Sequence, residues 1–223
     1  MARILVTGGN GFIGAEVCQA AVAEGHEVIG MGRGGRPEIA EAWADRVLWL
    51  AADVFRPESW AGHVVGCDAV VHCIGIVRER PERGVTFDRL NGDAAILAAD
   101  VAERARVGAF VYLSASAKPP LLRETYITAK RRAEREILGC SFRGVVLRPG
   151  FVFGARRGVS LPASTFLRAA ARVPVLGAGA RQSRPLPVEL VARAALRAAT
   201  EPQVRGILEV DAIEALGTAP VAT

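Results

Sequence analysis

The sequence predicts an α/β protein built on a doubly wound, mostly parallel sheet, and three observations lead there. Short β-branched runs alternate with longer Ala-rich amphipathic stretches, the strand candidates are unbroken apolar runs, and a glycine cluster separates the first strand from the first helix. Strand, helix, strand in that order calls for parallel pairing through right-handed crossovers, with helices on both faces of the sheet.

The first strand, Arg3–Thr7, runs into "GGNGFIG" (Gly8, Gly9, Asn10, Gly11, Phe12, Ile13, Gly14) and then a helix over Ala15–Glu24. Glycine loses more conformational entropy on folding than any other residue, so a cluster of it needs a reason. One reason is an ordinary tight turn. The other is a phosphate, because glycines let backbone N–H groups at a helix N-terminus approach a pyrophosphate. Gly9, Gly11 and Gly14 fit G-x-G-x-x-G, and Gly8, Gly11 and Gly14 give a second register. The position after a strand and at the start of a helix favours dinucleotide binding by this segment.

The second strand, Glu27–Met31, ends at Gly32 and Arg33, where NAD binders usually carry an acid for the ribose hydroxyls. Arg33, with Arg36 as a second candidate, suits a 2′-phosphate, so NADP is expected ahead of NAD unless both are solvated loop arginines. The third strand, Val47–Leu50, is followed by Asp53 and Val54; a carboxylate there either meets an adenine amino group or caps the next helix. Trp43, Trp49 and Trp60 surround this strand and read as packing residues.

Further strands are expected at Ala69–Ile74, Phe110–Leu113 and Val145–Leu147, and helices at Phe87–Ala105, Arg123–Leu138 and Val188–Thr200. In the helix Arg123–Leu138, Ile127, Ala133 and Ile137 are apolar, while Arg131, Arg132, Glu134, Arg135 and Glu136 read mostly as a solvated face. Tyr126 and Lys130 lie one turn apart and project from the same side. After Gly154 the composition shifts to Pro, Gly and Arg, which divides a dinucleotide-binding part, 1–154, from a small substrate-side or lid extension of the same domain, 155–223. Within the extension, Leu161–Val175 is apolar and basic, as suits a lid helix or contact with a lipid-like substrate or a membrane surface.

Composition removes several classes of function. A chain that is 51% hydrophobic and 23% charged has a folded core rather than a disordered one. The net charge of +5 comes from arginines scattered along the chain, with only Lys118 and Lys130 as lysines, and no basic–aromatic stripe or zinc spacing points to nucleic acid. Cys18, Cys67, Cys73 and Cys140 fit neither a disulfide framework nor a CxxC site, and His26, His63 and His72 lack ligand spacing, so no metal is expected. With no leader segment and no apolar run long enough for a bilayer, a cytoplasmic protein with at most peripheral membrane contact is expected.

Four segments together resemble the short-chain dehydrogenase/reductase superfamily: "TGGNGFIG", "ADV" at Ala52–Val54, "YITAK" at Tyr126–Lys130 and "LRPGFVFG" at Leu147–Gly154. Within it the chain is similar to the extended and atypical branch of NAD-dependent epimerase/dehydratase proteins. "AWADRVLWLAAD" and "RPGFVFGARR" resemble the group holding the nucleotide-binding accessory subunit of mitochondrial complex I and the oxidoreductase-like proteins of coenzyme Q biosynthesis.

The resemblance implies that Gly8, Gly11 and Gly14 cradle the pyrophosphate, that Asp53 and Val54 touch the adenine, and that Cys73, Ile74 and Gly75 lie along the cofactor. Pro149 and Gly150 would back the nicotinamide. Tyr126 would be the catalytic acid/base, Lys130 its partner and a holder of the nicotinamide ribose, and Ser116 or Ser114 the residue that hydrogen-bonds the substrate oxygen. Asn91 matches a position held for local structure or a proton relay. A phenol with a pKa of about 10 is a poor base at neutral pH, and an ammonium one turn away together with the nicotinamide charge favours the phenolate. The expected activity is hydride transfer between NADP(H), or NAD(H), and the carbonyl or alcohol of a small, apolar or quinone-like molecule. The alternatives are a non-catalytic nucleotide-binding assembly or regulatory protein, and a nucleotide-sugar epimerase or dehydratase. The stretch from Ser116 to Tyr126 and the region after Gly154 are both short for a sugar-nucleotide enzyme.

Overall fold

Alternate residues of the first strand part to opposite faces, Ile4 and Val6 into one core and Leu5 into the other. That strand, β1 (Arg3–Thr7), belongs to a parallel sheet with β2 (Glu27–Gly32), β3 (Val47–Ala51), β4 (Ala69–His72), β5 (Ala109–Leu113) and β6 (Arg143–Leu147). A pair of two-residue strands, β7 (Val152–Phe153) and β8 (Leu186–Pro187), stands apart, and β9 (Gly206–Leu208) adds a seventh strand beside β6. The computed structural model describes residues 1–38, 41–116, 123–154 and 184–219; the predicted lid segment Leu161–Val175 lies outside them.

The strand order is β3-β2-β1-β4-β5-β6-β9. It reverses between β1 and β4, so the loops leaving those two strands part and open a crevice at the carboxyl end of the sheet. The expected doubly wound parallel sheet, a Rossmann-type fold, is the observed one. One face is covered by α1 (Phe12–Ala23), with α5 (Val188–Thr200) and α6 (Val210–Thr218), and the other by α2 (Ala61–Val64), α3 (Ala94–Arg104) and α4 (Glu124–Gly139). Alanines dominate the buried faces of α3 and α5, among them Ala94, Ala98, Ala102, Ala194 and Ala198. Small side chains let these helices lie close on the sheet.

Three expectations are corrected. The strand expected through Ile74 stops at His72, because the chain there turns against the glycine loop: a Cβ on Gly8 would lie 3.1 Å from the Cys73 carbonyl carbon and from Ile74 N. The helix expected over Phe87–Ala105 is interrupted by a π-type turn, Asp88–Asp93, before α3 begins. Its displaced carbonyls find other donors, Asn91 O from the Tyr112 hydroxyl at 2.6 Å and Asp88 O from Arg132 at 3.2 Å. The seventh strand escapes sequence reading because it is three residues long. Of the region after Gly154, the described residues 184–219 supply that strand and two covering helices.

The scattered arginines also find an explanation. Arg143 donates to the carbonyls of Ala198 and Ala199 at the end of α5, and Arg193 and Arg197 donate to Gly217 and Leu216 at the end of α6. They neutralise orphan carbonyls where the helix dipole is negative.

Candidate active site

The glycine loop is shaped by backbone approaching backbone. Gly8 sits at φ +72°, in the left-handed region that favours glycine. Gly11 donates its N–H to Gly8 O at 2.9 Å, and Gly9 donates to Met31 O at 2.9 Å, which ties the loop to β2. A Cβ on Gly14 would meet the Gly8 carbonyl, lying 2.7 Å from its carbon and 2.9 Å from Gly9 Cα. Gly14 therefore sets how closely α1 meets β1. The N-cap position of α1 is Gly11, which has no side chain to cap with, and the first turn carries no acid. This cradle, closed to any Cβ and open to an anion, fits a dinucleotide pyrophosphate.

At the end of β2 the structure explains the missing acid. A Cβ on Gly32 would run into the Asn10 amide, whose Nδ2 donates to Gly35 O at 3.2 Å. Asn10 thus fills the space that a side chain at position 32 would need. Arg33 is exposed and has no ion-pair partner among the described residues, whereas Arg36 pairs with Asp45 at 2.6 Å. Asp53 accepts the Phe55 N–H at 3.1 Å in a local turn and caps no helix, since the next helical turn begins at Pro57 after Arg56, while Val54 is buried.

Across the crevice, α4 brings Tyr126 and Lys130 to its inner face, where they are 6% and 5% exposed. The Tyr126 ring packs edge-on to Phe87 with centroids 5.3 Å apart, in a small apolar cluster with Ala115 and Ala129. Its hydroxyl has no hydrogen-bond partner among the described residues. Lys130 Nζ donates to Leu113 O at 2.9 Å and lies 5.8 Å from the Tyr126 ring centroid. Burial pushes the Tyr126 phenol up to about 12, against the pull of the Arg131 charge. Burial brings Lys130 down to about 8, against the raising effect of Glu134. In the protein alone, then, burial favours the protonated phenol.

The turn after β4 joins the two halves. Cys73 and Ile74 lie against Gly8, and a Cβ on Gly75 would stand 3.2 Å from Asn91 Oδ1 and 3.8 Å from Lys130 Nζ. Asn91, fully buried, pins this turn by accepting from Ile76 N at 2.7 Å and donating to Ile76 O at 3.0 Å. Pro149 and Gly150 follow β6, and Pro149 O accepts the Ser116 N–H at 2.9 Å. The glycine loop, Lys130, Tyr126 and Ser116 thus stand at the carboxyl end of the sheet.

Sequence reading missed an ionic cluster beneath this site. Glu134, assigned to a solvated face, is 2% exposed and lies between Arg131 and Arg148, while Arg148 also reaches Glu209 at 2.8 Å. The Ser114 hydroxyl donates to the same carboxylate. Burial raises the Glu134 pKa, but hydrogen bonds from Arg148 and Ser114 and the charges of both arginines outweigh it and leave the carboxyl below its ordinary value. One signal was legible, since Glu134 falls one turn beyond Lys130 on the Tyr126 side of the helix.

His72, at the end of β4, is fully buried; its Nδ1 shares a 2.8 Å hydrogen bond with the Thr7 hydroxyl, and Nε2 has no partner among the described residues. Burial, then the Lys130 charge, lowers it to about 3 from an ordinary 6.5. The folded value lies below the unfolded one, so this stabilisation is whole above pH 6.5 and is lost as pH falls from there toward 3. Urea melts should show about 1.4 kcal/mol lost per pH unit below that point from this ring, and His72→Leu should flatten that share of the acid limb. Equal slopes in parent and variant would refute it.

With this geometry in hand, the comparisons with known proteins become informative. The family model described as the NAD dependent epimerase/dehydratase family matches residues 4–209. The chain belongs to that family. It is 38% identical over 166 residues to an uncharacterized chloroplastic protein of Arabidopsis thaliana, covering 72% of this chain and 54% of the plant protein. It is 29% identical over 225 residues to MIOREX complex component 2 of Saccharomyces cerevisiae, covering 78% and 81%. It is 26% identical over 174 residues to the ceramide reductase of Caulobacter vibrioides, covering 78% and 52%. The chain thus spans about half the length of two of these three relatives. Among solved structures, MoeE5 in complex with UDP-glucose and NAD shares the fold, with a TM-score of 0.68 at 20% identity over 96% of this chain and 80% of that one. The matching family is described as NAD dependent. Among the described residues no helix is long and apolar enough to cross a membrane, and no side-chain cluster suits a metal ion.

Proposed function

We propose that this protein is an NADP(H)-dependent reductase that delivers hydride to the carbonyl of a small apolar substrate, with Tyr126 as the proton donor. One observation carries the reading: the Cys73–Gly75 turn touches the glycine loop on one side and Lys130 on the other, so the phosphate cradle and the Tyr126/Lys130 pair share a crevice. Gly8, Gly9, Asn10, Gly11, Phe12, Ile13 and Gly14 would hold the pyrophosphate, with Asp53 and Val54 at the adenine and Pro149 and Gly150 behind the nicotinamide. The bound coenzyme supplies the hydride. Tyr126, protonated up to about pH 12, gives its proton to the substrate oxygen. Lys130 holds a positive charge beside the phenol and steadies the phenolate left behind. Ser116 polarises the same oxygen, and it is preferred to Ser114 because the Ser114 hydroxyl is already bound to Glu134. The apolar surroundings of Tyr126, from Phe87, Ala115 and Ile76, suit an apolar carbonyl compound, in keeping with the name of the Caulobacter relative.

NADP is preferred because Asn10 excludes an acid from Gly32 and Arg33 stands exposed beside it. Arg33→Ser is expected to weaken NADPH binding about tenfold, the loss of one charge-assisted hydrogen bond, and to leave NADH binding unchanged. Arg36→Ala should cost less, since Arg36 is already shared with Asp45. Fluorescence titration of both reduced coenzymes reads this directly, and a parent that binds NADH as tightly as NADPH refutes it. Activity is tested by NADPH oxidation against β-keto esters, aliphatic aldehydes and quinones. A second reading, a coenzyme held for structure within an assembly, draws on the name of the yeast relative. It predicts tight coenzyme and no carbonyl reduced. A sugar-nucleotide enzyme would instead be protected by UDP-glucose against thermal unfolding.

A further inference from the structure

Ser116 lies past the end of β5 at Leu113, outside the strand itself. Its backbone is held from two sides. The N–H donates to Pro149 O at 2.9 Å, which continues the β5–β6 pairing past the strand ends, as Ser114 N does to Leu147 O at 2.8 Å. The carbonyl accepts from Arg131 Nη2 at 3.0 Å, and the same nitrogen takes Ala115 O at 2.9 Å. The other arm of the guanidinium, Nη1, is bound to Glu134 and lies 3.4 Å from Ser114 Oγ. Glu134 is in turn clasped by Arg148, the residue before Pro149. Both backbone polar groups of Ser116 are therefore taken, and its side-chain hydroxyl has no partner among the described residues.

We propose that Arg131 is a positioning residue, a planar fork on the helix of Tyr126 and Lys130 that fixes the Ala115–Ser116 backbone and so holds the Ser116 hydroxyl on the Tyr126 side of the crevice. This rests on the reductase reading above. Position is the argument: Arg131 follows Lys130 directly, so the helix that carries the proton donor also grips the strand end that carries the serine, and the two cannot drift apart independently. The planar fork matters because one nitrogen arm must meet two carbonyls while the other stays on Glu134. Charge balance supports it too. Arg131 and Arg148 face Glu134 and Glu209, so the cluster is neutral and tolerates burial. The Arg131 charge is also the one that opposes burial at the Tyr126 phenol.

The test compares Arg131→Met, which keeps the alkyl stem, with Arg131→Lys, which keeps the charge but loses the fork. Amide hydrogen exchange on the substrate-free protein reads the clamp without any assay of turnover. Arg131→Met is expected to speed exchange at Ser116 by ~10-fold or more while leaving Gly9, bonded to Met31 O, unchanged. With NADPH and ethyl acetoacetate, kcat is expected to fall by ~10- to 100-fold with KM and the NADPH Kd unchanged, and Arg131→Lys should recover part of it. Unchanged exchange at Ser116 overturns the clamp whatever the kinetics. Faster exchange with full kcat, while Tyr126→Phe is inactive, overturns the positioning role alone. Faster exchange at Ser116 and Gly9 together marks a merely structural residue and also overturns it. If Tyr126→Phe is as active as the parent, or the parent leaves NADPH unoxidised across the whole carbonyl panel, the reductase reading fails, and the exchange result still decides the clamp. Should Arg131→Met not fold, Arg131→Lys alone carries the same comparison.

Discussion

Tyr126→Phe is expected to lower kcat for NADPH-dependent carbonyl reduction by about 10²- to 10⁴-fold, the usual worth of a positioned proton donor, and to leave the NADPH Kd unchanged. The substitution removes only a hydroxyl that has no partner among the described residues. The ring keeps its edge-on contact with Phe87 and its packing against Ala115 and Ala129, so the melting temperature should hold. The pH dependence carries a second check. Because burial raises the phenol to about 12, the acid is available throughout the neutral range, and reduction should not wait on deprotonation. Lys130 titrates near 8, so kcat/KM for reduction should fall as pH rises through that value and the ammonium is lost. Oxidation of the corresponding alcohol needs the phenolate and should climb with pH. A phenylalanine variant as active as the parent would sink the mechanism.

Gly14→Ala should do its damage at the other end of the crevice. Its Cβ would collide with the Gly8 carbonyl group and crowd Gly9 Cα at 2.9 Å, all backbone atoms that cannot rotate away. Either α1 lifts from β1 or the glycine loop is pushed into the space of the pyrophosphate. Overpacking of this kind costs about 1–3 kcal/mol of stability. The coenzyme Kd should weaken at least about tenfold, because the amides at the helix N-terminus no longer converge on one point. Urea unfolding and coenzyme titration read the two effects separately. Gly62→Ala is the control: it lies in α2 and a Cβ there meets nothing within 4 Å, so the coenzyme Kd should stay at its parent value and stability should not fall, with a gain of up to about 1 kcal/mol from the helix preference of alanine. Coenzyme bound equally by Gly14→Ala and by the parent would remove the glycine loop from the site.

Much of this was legible in the chain because the signals are local. A strand covered on both faces is a continuous apolar run, and a turn with a left-handed residue and close backbone approach favours glycine, so β1, the loop and α1 announce themselves. The Tyr126–Lys130 spacing is likewise a property of one helix. Local pattern also misled. Glu134 and Arg131 read as solvent-facing because charges at helical spacing usually are, yet Glu134 is buried against Arg148, a partner just past the end of β6. The π-type turn at Asp88–Asp93 depends on Tyr112 from β5 and Arg132 from α4, which no window of sequence around it contains.

The amino-acid sequence by itself determined the doubly wound sheet, the glycine turn between β1 and α1 and the placing of Tyr126 and Lys130 on one side of a helix, since each follows from periodicity or spacing within one stretch of chain. Tertiary structure alone decided that the Cys73–Gly75 turn bridges loop and lysine, that Asn10 fills the space beside Gly32, and that Ser114 is bound to Glu134 while the Ser116 hydroxyl has no partner among the described residues. Those are contacts between residues far apart in the chain, and only the packing of one element on another sets which polar groups meet and which stay free for a substrate.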